Sequence, residues 1–471
     1  MKAKTVDGQE FDLPETAVSQ WRVRLRGPVV TLGDVDYENS RTVWNGMINR
    51  RPAMVARCLG IADVIECVRF ARELNLLLCI KGGGHNIAGL AVADGALMLD
   101  MSLTRGVWVD PHGRVAHAQA GCLLGEVDRE TQLHGLASVL GFISLTGIAG
   151  LTLGGGIGYL TRQWGWTADN VVGMDIVTAD ARLVRASSNE NADLFWGLRG
   201  GGGNFGVVTG IDYLLHRVGP EIVGGVVAWP ASEAPRVLEL YATLVEQAPP
   251  ELTLVALMRR APAAPWLPKE RHGTPIVALL ACHTGNPDDG EQAVSRIKSF
   301  GKPIGDVLTR RTYVQMQSLL DATQPKGRRY YWKNEYLPRI EPALFEQVIE
   351  HAAGIRSPYS ALTLWQMEGA LNRLSPDHSP VGNRDARYLL IIGGSWEQPA
   401  DDEANIEWVR RAWNDMRRFS TGGTYINFLT EDEGAERTEA ALSGAIQRLA
   451  QVKAKWDPQN VFRTNRNIRP A

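Results

Sequence analysis

The sequence predicts an α+β protein built from two unlike parts. Its 471 residues exceed what one small core accommodates, so two domains are expected. Glycine clusters crowd the chain up to about residue 217 and become sparse beyond it. Past that point long apolar strands alternate with amphipathic helices, the texture of helices resting on an open sheet.

In the first part, Ile61, Val64, Ile65, Val68 and Ala71 recur at helical spacing and form one apolar stripe. An apolar strand over 76–80 follows and opens into Lys81, Gly82, Gly83, Gly84 and His85. Residues 95–102 read as a second strand, and 115–120 as a third that leads into a helix over 123–137. Two strands, 171–179 and 182–187, are joined at Asp180-Ala181. A short helix over 192–198, four glycines and a β-branched strand from Val207 close this part. In the second part the strands are 251–260, 274–285, 360–369 and 386–396. A last helix from Gly434 carries Leu442, Ile446, Leu449 and Val452 on one face and stops at Asp457-Pro458.

Composition excludes several classes. Hydrophobic residues are 44% and charged residues 22%, an ordinary globular balance. A net charge of −2 provides no field to recruit nucleic acid or an anionic membrane. No apolar run follows the few positive charges at the start, and none reaches a bilayer-spanning length, so neither a secretory leader nor a membrane span is expected. Five scattered cysteines without a CxxC pair argue against a disulfide framework or a metal site and suit a cytoplasmic location.

Two glycine loops invite a nucleotide reading. Gly201 to Gly206 matches G-x-G-x-x-G, but a helix precedes it and a strand follows, the reverse of the dinucleotide order. The loop around Gly154 lacks the Gly-Lys-Ser/Thr ending of a P-loop. What survives is several loops that each expose backbone N–H groups, able to hold phosphate oxygens without charged side chains. His85 has no metal-ligand partners; it reads as a structural residue, a base or a nucleophile.

Four separated stretches, "KGGGHNIAGLAVADGALMLDMS", "SLTGIAGLTLGGGIGYL", "DLFWGLRGGGGNFGVVT" and "RLAQVKAKWDPQNVFRTNRNIRP", fall in one order. In that order they resemble the FAD-linked oxidases with the vanillyl-alcohol-oxidase (PCMH) type FAD domain, and more closely the berberine-bridge-enzyme-like branch. The resemblance implies a two-part FAD domain, 1–217 completed by 421–471, around an α+β substrate domain, 218–420, with an antiparallel sheet flanked by helices. It implies FAD held covalently through His85 alone. Lys81, Gly82, Gly83, Gly84, Asn86 and Gly89 would wrap the pyrophosphate, with Asp100 and Ser102 in the same crevice. Gly147, Gly150, Gly154, Gly155, Gly156 and Gly158 would approach the ring and ribityl chain. Asn204, Gly206 and Val208 would hold the adenine side; Tyr425, Asn427, Asn465 and Asn467 would close the site from the C-terminus.

The chain departs from the family pattern in three places, one of them near the last helix, where Ser443-Gly444 and Ile446 replace the usual Tyr-Gly pair and second tyrosine. Ile143 stands where bicovalent members place a second, cysteine link, and Phe428 where others carry a catalytic tyrosine. Thr146 falls where the family controls oxygen access and leaves room for it. The resemblance thus implies hydride removal from a C–H bearing OH or NH, with O2 as acceptor and H2O2 as product. Alternatives are a dehydrogenase with another acceptor, an oxidative tailoring enzyme, and a flavin-binding protein without activity. Strand alternation over 361–368 puts Glu368 on one face with Leu364 and Gln366, a carboxylate base if that face meets the flavin. Tyr425, Tyr331, Lys333 and Asn334 are the other base candidates, and Trp332 and Trp365 candidate pocket floors. The expected partners are a small-molecule substrate and O2, with the chain a monomer or homodimer.

Overall fold

A computed structural model describes every residue from Met1 to Ala471. Three sheets organise it. In a four-stranded sheet, Met54–Arg57 and Leu78–Lys81 both run parallel to Leu97–Asp100, with Val29–Thr31 antiparallel at the edge. The helix Ile61–Glu73 packs Val64, Cys67 and Val68 into the core against Leu78 and Leu97. A five-stranded antiparallel sheet follows, in the order Leu183–Ser187, Val171–Val177, Val207–Leu214, Val115–Gln119, Val107–Asp110.

The third sheet has eight antiparallel strands, including Leu252–Arg260, Pro275–His283, Ala361–Gln366, Tyr388–Trp396 and Arg329–Leu337. Alternation along its strands sorts two cores. Leu364, Leu390 and Ile392 pack with Leu238, Tyr241, Leu344 and Val409 of the helices Ala234–Gln247, Pro342–Ala353 and Asp402–Met416. Trp365, Leu389 and Ile391 face the other way, toward Tyr159, Trp166 and Tyr425.

Two sequence expectations are corrected. The helix expected over 123–137 ends at Gln132, because Gly135 takes φ +63° and Leu136–Ala137 pairs with His216–Arg217. The last helix is two, Ala435–Leu442 and Ile446–Trp456, broken where Ser443 and Gly444 both take positive φ, a conformation that cannot continue a right-handed helix.

After the third sheet the chain returns to the first two. Leu442, Leu449, Val452 and Ile468 join the core of the five-stranded sheet, and Val461 and Phe462 that of the four-stranded sheet. One buried ion pair ties this return down. Lys453 Nζ lies 2.6 Å from Asp457 Oδ2, both fully buried, and also donates to the carbonyls of Asn204 at 2.6 Å and Phe462 at 2.9 Å. Asp457 in turn accepts from the N–H groups of Val461 and Phe462. Removing one member strands the other as a buried charge, so Asp457→Ala is expected to cost about 3–5 kcal/mol in denaturant unfolding. A loss below about 1 kcal/mol, the scale of a surface pair, would show that the clamp is not a stability determinant.

Candidate active site

A cavity of about 270 Å³ opens where the first two sheets, the C-terminal return and the third sheet meet. Its wall combines glycine turns with apolar side chains. Gly82 to Asn86 form one side, Phe142 to Gly147 and the turn of helix Ile148–Leu153 another, with Gly201 to Asn204, Tyr425 to Phe428 and Thr464 to Arg466 completing it. At the nearest approach Gly83 and Gly147 lie back to back: a Cβ on Gly83 would sit 2.4 Å from the Gly147 nitrogen, and one on Gly147 2.3 Å from the Gly83 nitrogen. Any side chain at either position would push the loops apart. A Cβ on Gly154 would similarly meet Asn427 Oδ1 at 2.0 Å.

His85 ends the glycine turn on this wall. Its ring stacks on Trp44 at 4.3 Å between centroids, and Trp44 stacks on Tyr330 at 3.7 Å. His85 Nε2 is buried and has no hydrogen-bond partner. Burial lowers the imidazole's pKa to about 4, so the ring is neutral near pH 7 and keeps a free lone pair.

Most predicted site residues gather here: Gly82, Gly83, Gly84, His85, Asn86, Thr146, Gly147, Gly150, Gly154, Asn204, Gly206, Val208, Tyr425, Asn427 and Asn465 line the cavity. Others stand behind the wall. Lys81 points away, its ammonium donating to the Ser40 carbonyl at 2.6 Å and pairing with buried Asp100 at 3.4 Å. The Ser102 N–H turns to Asp100 Oδ1, and the Gly89 carbonyl receives Arg50 Nη1. Gly155, Gly156 and Gly158 are packing positions; Gly158 lies against the Leu140 carbonyl, where a Cβ would come within 1.8 Å. Asn467 is exposed, and its neighbour Ile468 lines the cavity instead.

The proposed bases fare differently. Glu368 lies beyond the end of its strand at Gln366 and pairs with Arg387 Nε at 2.6 Å. The face it was assigned to meets the helices: Gln366 Nε2 donates to Val245 O of helix Ala234–Gln247. Glu368 is therefore off the cavity, on the wrong side of the sheet. Tyr331 and Lys333 also face the helices, both bonded to Asp432. Asn334, on the cavity-facing side of that strand, accepts the Tyr425 N–H at 2.7 Å. Tyr425 reaches the cavity, but its Oη accepts from the Gly156 N–H at 3.1 Å and Asn427 Nδ2 at 2.9 Å. Burial raises its pKa above the ordinary phenol value, so it stays protonated and holds these loops in place.

The remaining wall is aromatic and apolar. Trp332 meets Phe428 edge to face at 5.2 Å and Trp44 at 5.4 Å; Phe142 stacks on Trp365 at 4.4 Å, although Trp365 itself is not on the wall. Ile143 lines the cavity, whereas all five cysteines are buried elsewhere. No Asp, Glu or Lys side chain lines it, and no cluster of three metal-ligating side chains exists in the protein. No helix is long and apolar enough to cross a membrane. Sequence reasoning missed Trp44, Phe142 and Arg466, which lie outside any spacing signal and come together only in the folded chain.

Comparison with known proteins agrees with this architecture. Residues 52–187 match the family described as FAD binding domain, and residues 424–469 the one described as Berberine and berberine like. The (R)-6-hydroxynicotine oxidase of Paenarthrobacter nicotinovorans is 28% identical, spanning 95% of this chain and 97% of its own. The crystal structure of 6-hydroxy-D-nicotine oxidase from Arthrobacter nicotinovorans superposes with a TM-score of 0.85 at 27% identity, covering 95% of this chain and 98% of that one. Berberine bridge enzyme from Eschscholzia californica shares the fold, with a TM-score of 0.86 at 19% identity over 97% of this chain and 99% of its own. Both family segments are in place around one cavity: the chain carries an FAD binding domain segment and a Berberine and berberine like segment, and along nearly its whole length it is similar to FAD-linked oxidoreductases.

Proposed function

We propose that this enzyme is an oxidase that carries FAD on a single covalent bond to His85. In this reading residues 1–217 and 421–471 hold the cofactor, and 218–420 cover the substrate. The observation that carries it is the buried, unpartnered, neutral imidazole of His85 on a wall of glycine turns and apolar side chains that has no carboxylate. That donor set fits the cofactor: amide N–H groups for phosphates, one nucleophile for the ring, and Ile143 in place of a second thiol. Bound there, FAD supplies a two-electron acceptor for hydride from a C–H carrying OH or NH, with O2 as the terminal oxidant and H2O2 as product.

The chain's own residues orient and enclose. Trp44 and Tyr330 fix the plane of the His85 ring. Phe142, Trp332 and Phe428 keep water from the substrate side and offer flat apolar contact to a ring-bearing substrate. Because no carboxylate lines the cavity and Tyr425 stays protonated, no side chain there is poised to accept a proton. This favours CH–NH substrates, whose nitrogen lone pair can drive hydride loss without a base, over alcohols. Half-buried Thr146 leaves space on the wall for oxygen.

Acid precipitation tests the link directly. Yellow colour should stay in the pellet of the wild type, the peptide containing His85 should carry the mass of FAD, and His85→Ala should release any flavin it binds. Colour lost to the supernatant by the wild type would refute the covalent reading. Loading of apoprotein with FAD should be flat between about pH 8 and about pH 5 and fall as the pH drops through about 4, where the imidazole gains its proton. A fall already near pH 6.5, the ordinary histidine value, would contradict the buried neutral ring. Thr146→Leu should slow flavin reoxidation in air about tenfold, roughly 1.4 kcal/mol on the barrier, and leave reoxidation by a dye unchanged. Equal rates in both assays would remove Thr146 from the oxygen path.

A further inference from the structure

A nucleophilic imidazole gains positive charge as it forms its bond, and a buried charge is costly unless something offsets it. Around His85 the usual partners are missing. Burial is the chief cause of its lowered pKa, no charged side chain contributes, and no carboxylate lines the cavity. What the ring does meet is the face of buried Trp44, at 4.3 Å between centroids and 18° from parallel. Trp44 stands behind the wall, outside the cavity, so it touches His85 rather than a bound ligand. The indole is held from several sides. Its backbone N–H donates to the Gly84 carbonyl at 2.9 Å, its Nε1 to the Gln324 carbonyl at 2.9 Å, and the ring also stacks on Tyr330 at 3.7 Å. Tyr330 Oη donates in turn to the Pro325 carbonyl at 2.6 Å. Donating N–H and O–H to carbonyls leaves both rings richer in π density, and an electron-rich face attracts a neighbouring cation.

We propose that Trp44 is a positioning residue for attachment of the cofactor: its π face stabilises the positive charge that His85 acquires while it bonds to FAD. The inference rests on the covalent reading above. In that step the 8α-methyl carbon of the flavin gives up a proton and takes a lone pair of the imidazole as a C–N bond. The electron pair of the broken C–H bond stays in the flavin, and the imidazole releases its N–H proton. O2 then carries off that electron pair with two protons as H2O2. Between gaining the C–N bond and losing its proton the imidazole is a cation, and that is the interval Trp44 favours.

The test follows acid-precipitable flavin over time after full-length apoprotein, made in riboflavin-starved cells, is mixed with FAD in air. Trp44→Leu keeps an apolar side chain but removes the π face, and should attach FAD about tenfold more slowly. Trp44→Phe keeps an aromatic face and should lie between. Mono-, di- and trifluorotryptophan placed at position 44 alone drain π density at nearly constant size, and each added fluorine should slow attachment further. Thermal midpoints are measured alongside, and in the His85→Ala background Trp44→Leu should leave reversible FAD affinity unchanged. Attachment that proceeds at one rate across the fluorinated series, or a fall in reversible affinity that accounts for the slower rate, would overturn the proposal and leave Trp44 a packing residue. A wild type whose FAD never becomes acid-precipitable would overturn the covalent reading as well, and so separates the two failures.

Discussion

The approach of two bare backbones, Gly83 and Gly147, is the contact on which the site depends. Each would place a Cβ within 2.4 Å of the other's nitrogen, so the turn after Leu78–Lys81 and the turn before Ile148–Leu153 touch only because both lack side chains. That contact joins the four-stranded parallel-centred sheet to the segment entering the five-stranded one. It also sets where His85, two residues further on, enters the cavity. Glycine at both positions costs extra conformational entropy on folding, but no other residue allows the two turns to approach this closely.

Charge is handled in the opposite way, by exclusion to the far side. Along Arg329–Leu337 the period of two puts Tyr330, Trp332, Asn334 and Tyr336 toward the first two sheets, and Tyr331, Lys333 and Glu335 toward the helices. On that second side Lys333 meets Asp432 at 3.0 Å and Glu433 at 3.2 Å, while Arg437 meets Glu335 at 2.8 Å. These buried ions satisfy one another, as ions in a low-dielectric interior must. The acidic turn after Phe428 is therefore gripped from the eight-stranded sheet, from helix Ala435–Leu442 and, through Glu431–Arg50, from the segment before Met54–Arg57. The aromatic wall stays free of carboxylates because its own turn carries them outward.

Much of the fold was legible. Strands such as Leu252–Arg260 and Pro275–His283 announce themselves as long apolar runs, and the glycine clusters mark loops whatever their partners. Fifteen positions named in advance on motif grounds line the cavity, His85 among them. The misreadings share one cause. Alternation over Ala361–Gln366 shows that two faces exist, but not which is turned toward the helices, and so Glu368 was placed on the wrong one. Lys81 and Ser102 sit beside motif residues in sequence yet turn behind the wall, because a strand and its turn send neighbouring side chains in different directions.

The sequence alone determined local conformation: glycine where backbone must approach backbone, period-two strands, a proline to stop the last helix, and a histidine at the end of a bare turn. Each follows from steric limits acting within a few residues. Tertiary structure alone decided that Trp44, Tyr330 and His85 form one stack, that Arg466 is the cation on the wall, and that no carboxylate reaches it. Those outcomes depend on how three sheets pack, and contacts between residues hundreds of positions apart leave no periodic trace in a single chain.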